Sequence, residues 1–166
     1  FGIVTTALRS DLADPLDVAE AVAWMKRLNK KASDLAVAFN LLCSTDITGF
    51  SLLGHASEIV QASQVGLRFF FGQIPLTRGA AEYAERWIFP GGAFDNRTYY
   101  ESHVRWSPEI NEVKQTLLFD PQTSGGLLIA VPDDQANHFL TRAAEISQPA
   151  WEVGEVFDGE GIEVLP

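Results

Sequence analysis

Residues 45–63 join a polar loop to an apolar helix with almost nothing between them, and that junction constrains the fold more than any other stretch. Thr45-Asp46-Ile47-Thr48-Gly49-Phe50-Ser51-Leu52-Leu53-Gly54-His55 puts one carboxylate beside two hydroxyls and a glycine. Asp46 or Thr48 is placed to cap the helix that follows, which is predicted to run to about Ser63. Along it Phe50, Leu53, Ser57 and Val60 share one face, and Leu52, Ala56 and Ile59 form another. A helix apolar on that much of its circumference is buried. Gly54 in its middle costs about 1 kcal/mol against alanine, which implies close approach of another element.

Strands and helices interleave along the rest of the chain. Residues 1–7 alternate weakly with β-branched types, the pattern of a strand. Asp14-Pro15 starts a helix, with Asp14 as cap and Pro15 at its first position; Val18, Val22, Met25 and Leu28 carry it to about Asn29. Ser33-Asp34 starts a second, short helix. Gly66 ends the long helix, and Leu67–Phe71 reads as a strand. Thr77 to about Arg86 is a short helix, residues 89–107 are irregular behind Pro90-Gly91-Gly92, and Ser107-Pro108-Glu109 opens another short helix. Gly126 to Val131 is apolar throughout, as in a central strand. Asp133 or Asp134 caps a helix through about Ile146. Trp151–Phe157 and Ile162–Leu165 are strands, and Asp158-Gly159-Glu160-Gly161 between them reads as a hairpin turn. The prediction is one α/β (α+β) layer domain over residues 1–166, a mixed sheet with helices packed on it.

Composition removes several classes of function. With 166 residues and 46% hydrophobic content, the chain can bury a real core. Its net charge of −10 and pI of about 4.6 argue against nucleic acid, which needs Lys and Arg concentrated on one face, and against anionic membranes. No apolar run approaches the roughly 20 residues that span a bilayer. Cys43 is the single cysteine, so no internal disulfide forms, and a reducing cytoplasm is the expected compartment. Cys43 itself reads as a small buried hydrophobe. The opening Phe1-Gly2-Ile3-Val4 lacks an initiator Met and reads as the middle of an element, the pattern of a piece cut from a longer chain.

Asp46 has two readings. One is a helix cap. The other is a ligand for a hard cation such as Mg²⁺, which takes one or two carboxylates plus phosphate oxygens and water. One Asp does not hold Mg²⁺ alone, and no Asp-x-Asp cluster flanks it, so a metal site here borrows ligands from elsewhere. Thr45 and Thr48 either satisfy backbone N–H groups or orient the carboxylate. His55 reads as a satisfied histidine in the helix. The second polar stretch is Asp120-Pro121-Gln122-Thr123-Ser124-Gly125-Gly126-Leu127-Leu128. A phosphate-cradling P-loop precedes a helix and ends in Gly-Lys-Ser/Thr; the Thr123–Gly126 loop does neither. Taken alone it is a tight turn past which another backbone runs closely. Lys and Arg are scattered, so no triphosphate clamp is visible.

Together these two stretches resemble selenophosphate synthetase (selenide, water dikinase), within the aminoimidazole-ribotide-synthetase-like group. Supporting segments are Met25-Lys26-Arg27-Leu28-Asn29-Lys30, Ile74-Pro75, Pro90-Gly91-Gly92 and Asn96, in the order and spacing of that family's C-terminal half. The resemblance implies an ATP-using enzyme that makes selenophosphate, AMP and phosphate from ATP, selenide and water. It implies a homodimer formed by an N-terminal half, with a C-terminal α/β half closing the active site. The family's reactive Cys or selenocysteine, its Lys, its glycine-rich ATP segment and most of its Mg²⁺-binding acids belong to the N-terminal half. No catalytic residue is therefore assigned in this chain. Asp46 matches the family's Mg²⁺ ligand, with Thr45, Thr48 and Gly49 shaping its loop, and Thr123, Ser124, Gly125 and Gly126 form a candidate nucleotide-facing loop. Ser51 departs from the family's usual glycine; inside a helix, serine is better than glycine by a few tenths of a kcal/mol. Two other readings stay open. One is a sibling of the same fold, such as a thiamine-monophosphate kinase or a hydrogenase-maturation factor; the other is a non-catalytic binding module.

Overall fold

The larger sheet is built around β2 (Gly66–Phe70), whose Leu67 and Phe69 point into the core. The computed structural model describes residues 1–166. β2 pairs antiparallel with β5 (Gly154–Phe157) and parallel with β6 (Ile162–Leu165), and β6 pairs parallel with β3 (Val104–Trp106). The strand order β3-β6-β2-β5 makes the sheet mixed, as predicted. The last two strands are nevertheless not a hairpin. Residues 158–161 carry the chain across the end of β2, where the Leu67 N–H donates to Gly161 O at 3.0 Å. A lone two-stranded hairpin is marginal in water, and inserting β2 gives both terminal strands a buried partner. Ile162 and Val164 are fully buried as a result.

Helix α4 (Ser51–Ser63) packs Leu53, Ala56 and Ile59 on the inner face of this sheet. The outer face carries a charged row. Arg105, Glu163, Arg68 and Glu155 are register neighbours, one from each strand. Arg105 Nη2 donates to Glu163 Oε1 at 3.0 Å, Arg68 Nε to Glu163 Oε2 at 2.9 Å, and Arg68 also pairs with Glu155. Such surface pairs stabilise weakly, but alternating signs across strands disfavour a slipped register.

A second core joins α1 (Gly2–Arg9), α2 (Pro15–Met25), α5 (Ala80–Glu85), α6 (Gly91–Tyr100) and α7 (Glu112–Leu117). A third, smaller one sits between α3 (Lys30–Ala38) and α8 (Asp133–Glu145), around Leu35, Phe139 and Ala143. The remaining strands, β1 (Ser44–Asp46) and β4 (Leu127–Ile129), form a separate antiparallel pair. The apolar run Gly126–Val131 is thus no central strand: its strand is three residues long and half-buried, with β1 its one strand partner.

Several elements differ from the sequence expectation for identifiable reasons. Residues 1–7 are helical rather than extended. Ile3, Val4 and Ala7 fall on one helical face and are buried, and the Thr5 and Thr6 hydroxyls both donate to Gly2 O, at 2.9 and 2.8 Å. Packing overrides β-branched propensity here. Residues 89–107 are ordered as α6, a 3₁₀ turn over Glu101–His103, and β3. The buried residues of α6, Ala93, Asn96 and Tyr100, lie at helical spacing, but one is polar and one carries a hydroxyl, which hides the stripe. Tyr100 is the close neighbour that Gly54 implied: a Cβ on Gly54 would lie 2.8 Å from its ring. α2 starts as predicted, the Leu16 N–H donating to Asp14 Oδ1 at 2.7 Å, but it ends at Met25. α3 begins at Lys30, ahead of Ser33-Asp34. α7 begins after Ser107-Pro108-Glu109, where Asn111 accepts from the Lys114 N–H. Asp133 and Asp134 lie in the first turn of α8 behind Pro132, not at its cap.

Neither Asp46 nor Thr48 caps α4. Asp46 is the last residue of β1, and the helix opens at Ser51, whose φ is +68°. The Gly54 N–H reaches Ser51 Oγ at a long 3.5 Å. At that φ a side chain is strained by about 1–2 kcal/mol, so glycine, not serine, suits the position, reversing the preference expected of a helix interior. Gln64, left-handed at φ 55°, closes the helix, and Gly66 already belongs to β2.

Candidate functional site

The two polar motifs, about 75 residues apart in the chain, form a single ladder. Thr45 stands opposite Leu128 and Asp46 opposite Leu127. The pairing continues past the strands. The Ile47 N–H donates to Gly126 O at 3.0 Å, Gly125 N–H to Ile47 O at 2.8 Å, and Gln122 N–H to Thr48 O at 3.0 Å. Ser124 at φ 58° and Gly126 at φ 92° turn the loop. A Cβ on Gly125 would stand 2.7 Å from Ile47 O, so only glycine lets the loops lie this close. The Thr123–Gly126 loop therefore spends the Gly125 amide on the Asp46 loop rather than presenting it to solvent.

Asp46 is exposed at the end of this ladder. Neither flanking hydroxyl reaches its carboxylate. Thr45 Oγ1 donates to the Asp46 main-chain oxygen at 3.3 Å, and Thr48 Oγ1 bonds His55 Nε2 at 3.1 Å. His55 is buried on α4, with its Nδ1 3.0 Å from Glu58 Oε2 and its ring 5.5 Å from that of Phe50. Both ring nitrogens are engaged, so His55 is the satisfied histidine expected and ties the Asp46 loop to α4. A Cβ on Gly49 would meet nothing within 4 Å, which leaves the surface beside Asp46 open. No three His, Cys, Asp or Glu side chains converge to hold a metal in this chain. What Asp46 offers chemically is one accessible hard oxygen ligand on a braced loop, one of the one or two carboxylates that Mg²⁺ takes from protein.

Asp120 is the opposite case, and no local pattern gives its role away. It is 2% exposed and sits at the N-terminus of α1. The Phe1 amino nitrogen donates to Asp120 Oδ2 at 3.0 Å and to Gln122 Oε1 at 2.6 Å, and the Gly2 N–H donates to Pro121 O at 3.0 Å. Asp120-Pro121-Gln122 is thus a cap supplied across the fold, satisfying helix-end donors that Phe1 cannot serve itself. Burial pushes the Asp120 carboxyl above the usual carboxylate range. The sequence carries no local signal for this role because the partner lies 119 positions away.

The fold's half-buried arginines are committed to carboxylates: Arg97 to Glu101 and Glu112, Arg68 to Glu163 and Glu155. A groove of about 1140 Å³ is lined largely by apolar side chains that include Leu52, Phe69, Leu128 and Val153, and Ser124, Gly125 and Gly126 of the second motif also line it. No helix is long and apolar enough to cross a membrane.

Residues 3–165 match the family model of the AIR synthase related protein, C-terminal domain. Selenide, water dikinase of Citrifermentans bemidjiense is 38% identical over 164 residues, covering 99% of this chain and 47% of that protein. The enzyme of the same name from Geobacter sp. (strain M21) is 39% identical over the same length, and that from Caldanaerobacter subterraneus 41% over 142 residues, covering 86% of this chain and 41% of that protein. The chain spans about half the length of these relatives. Among solved structures, AaThiL complexed with AMPPCP and TMP aligns with a TM-score of 0.60 at 19% identity, over 98% of this chain and 44% of that one. The thiamine-monophosphate kinase of Stenotrophomonas maltophilia aligns with a TM-score of 0.57 at 14% identity, over 98% and 46%. At such identities these neighbours establish the fold alone. A family model matched across nearly every residue, on an α/β fold shared with these structures, settles the membership: the chain belongs to the AIR synthase related proteins, as their C-terminal domain.

Proposed function

We propose that this chain is the C-terminal half of a selenide, water dikinase, and that Asp46 supplies one carboxylate to the Mg²⁺ that accompanies ATP in the intact enzyme. The observation that carries this reading is the state of Asp46: exposed, unpaired by either neighbouring hydroxyl, and held at the end of a two-motif ladder. An acid serving only as a helix cap would bond the helix N–H groups, and α4 starts five residues later. Bound Mg²⁺ would neutralise phosphate charge during transfer. This chain's share is to present one oxygen ligand and hold it still. The other acids, the reactive Cys or selenocysteine, the Lys and the glycine-rich ATP segment come from the N-terminal half of the polypeptide. That half also forms the homodimer, and the whole enzyme works in the cytoplasm.

In this reading Thr48 and His55 brace the Asp46 loop from α4, and the Thr123–Gly126 loop braces it from the other motif. The open surface at Gly49 is where the N-terminal half or its nucleotide closes over the site. The 166-residue chain by itself makes no selenophosphate from ATP and selenide. The test is Asp46→Asn in the full-length enzyme. Selenide-dependent ATP consumption falls about 100-fold or more, while thermal unfolding stays where it was. Unchanged consumption overturns the assignment. ATP consumption driven by thiamine monophosphate instead of selenide would replace it with the sibling kinase reading.

A further inference from the structure

We infer that Asn96 is a positioning residue for the Asp46 loop, acting by fixing two main-chain carbonyls that belong to different motifs. Asn96 lies in the middle of α6, buried to all but 8%. Its Nδ2 donates to Gly49 O at 2.9 Å and to Phe119 O at 3.1 Å. Gly49 is three residues past Asp46, and Phe119 immediately precedes Asp120. Neither carbonyl accepts from a backbone N–H. The side-chain amide is thus their donor, and it has two hydrogens for two acceptors. The orientation is also forced, because an Asn96 oxygen turned toward two carbonyl oxygens would face acceptors only.

The consequence is geometric. On one side the ladder holds Ile47 and Thr48 against Gly125 and Gln122. On the other, Asn96 holds the loop's exit at Gly49 to the second motif's entry at Phe119. Clamped at both ends, the Asp46 loop has a fixed position relative to Asp120 and, through it, to the start of α1 and whatever precedes Phe1. Gly49 contributes its carbonyl to this clamp, not the absence of a side chain, since a Cβ there has open space. The inference rests on the proposed role of Asp46 for its effect on Mg²⁺, but the clamp itself is a property of this fold.

The experiment uses the full-length protein carrying Asn96→Asp, which keeps the shape and removes both donated hydrogens, beside Asn96→Ala. Ala93→Gly, which weakens the same helix at another buried position, controls for loss of stability alone. Two quantities are read: amide hydrogen exchange at Gln122 and Gly125, and the Mg²⁺ concentration giving half-maximal ATP consumption. The Asn96 variants exchange both amides about tenfold faster or more and need about tenfold more Mg²⁺, with the rate at saturating Mg²⁺ much less changed. Ala93→Gly shifts neither quantity. Wild-type exchange at Gln122 and Gly125 in both Asn96 variants overturns the inference, as does an equal response from Ala93→Gly. If Asp46→Asn leaves the Mg²⁺ requirement unaltered, the metal reading of Asp46 fails, and the exchange rates alone still decide whether Asn96 clamps the loop.

Discussion

Asp46 and Asp120 stand in the chain's two polar motifs, and their surroundings are opposite. Asp46 ends a strand, faces solvent and has both neighbouring hydroxyls turned to other partners. Asp120 is buried, bonded to the Phe1 nitrogen and flanked by Gln122, whose Nε2 donates to Asp120 Oδ2 at 3.2 Å. A buried carboxylate without partners is very costly, and Asp120 is tied into the fold through its Oδ2. An exposed, unpaired acid contributes little to folding, so Asp46 is available. The motif richer in glycine thus gives its Gln122 and Gly125 amides to the loop that carries Asp46.

The contrast can be broken first at its stronger end. Asp120→Ala removes the acceptor for the α1 end and leaves a cavity, and is expected to destabilise the 166-residue chain by about 2–3 kcal/mol in urea denaturation. A loss below about 0.5 kcal/mol would make the two acids alike. The sign of the pH effect sharpens the same point. Because the Asp120 carboxyl is raised in the fold, the folded state holds this proton more tightly than the unfolded state does. Its contribution to stability therefore falls as pH rises from the ordinary carboxylate range through its raised value. A stability-versus-pH curve loses that slope in Asp120→Asn, and a slope of the opposite sign would contradict the burial argument.

Smaller effects test the Asp46 side. Ser51→Gly relieves the positive φ at the start of α4 and is expected to raise stability by about 0.5–1 kcal/mol, the strain relieved exceeding the loss of a small buried side chain and its weak 3.5 Å bond to Gly54. A lowered melting temperature would mean that the Ser51 hydroxyl matters more than the backbone strain. Asp46→Ala should leave stability within about 0.5 kcal/mol, as for an exposed residue without partners. A larger change in the melting curve would show that Asp46 has a structural role after all.

Much of this was legible in local sequence. The α2 cap at Asp14-Pro15 and the buried face of α4 follow from residue types and spacing, because caps and amphipathic periods act within one or two turns. The same holds for the close approach at Gly54. Helix α1 was not legible, since Ile3, Val4 and the two threonines favour a strand until a core is present to bury them. Helix α6 was hidden by a buried face that includes Asn96, polar because its partners are carbonyls 47 and 23 positions away. The terminal strands looked like a hairpin because nothing local reveals that β2 lies between them.

What the sequence determined by itself was which residue types stand together: one acid beside two threonines, a glycine-rich second motif, and Lys and Arg scattered along the chain. Tertiary structure alone decided what each does. It laid the motifs side by side, turned Thr48 toward His55, sent Asp120 to a distant helix end and left Asp46 exposed. The reason is that a carboxylate's role is set by the donors and the water within about 3 Å of it, and here those donors come from segments up to 119 residues apart.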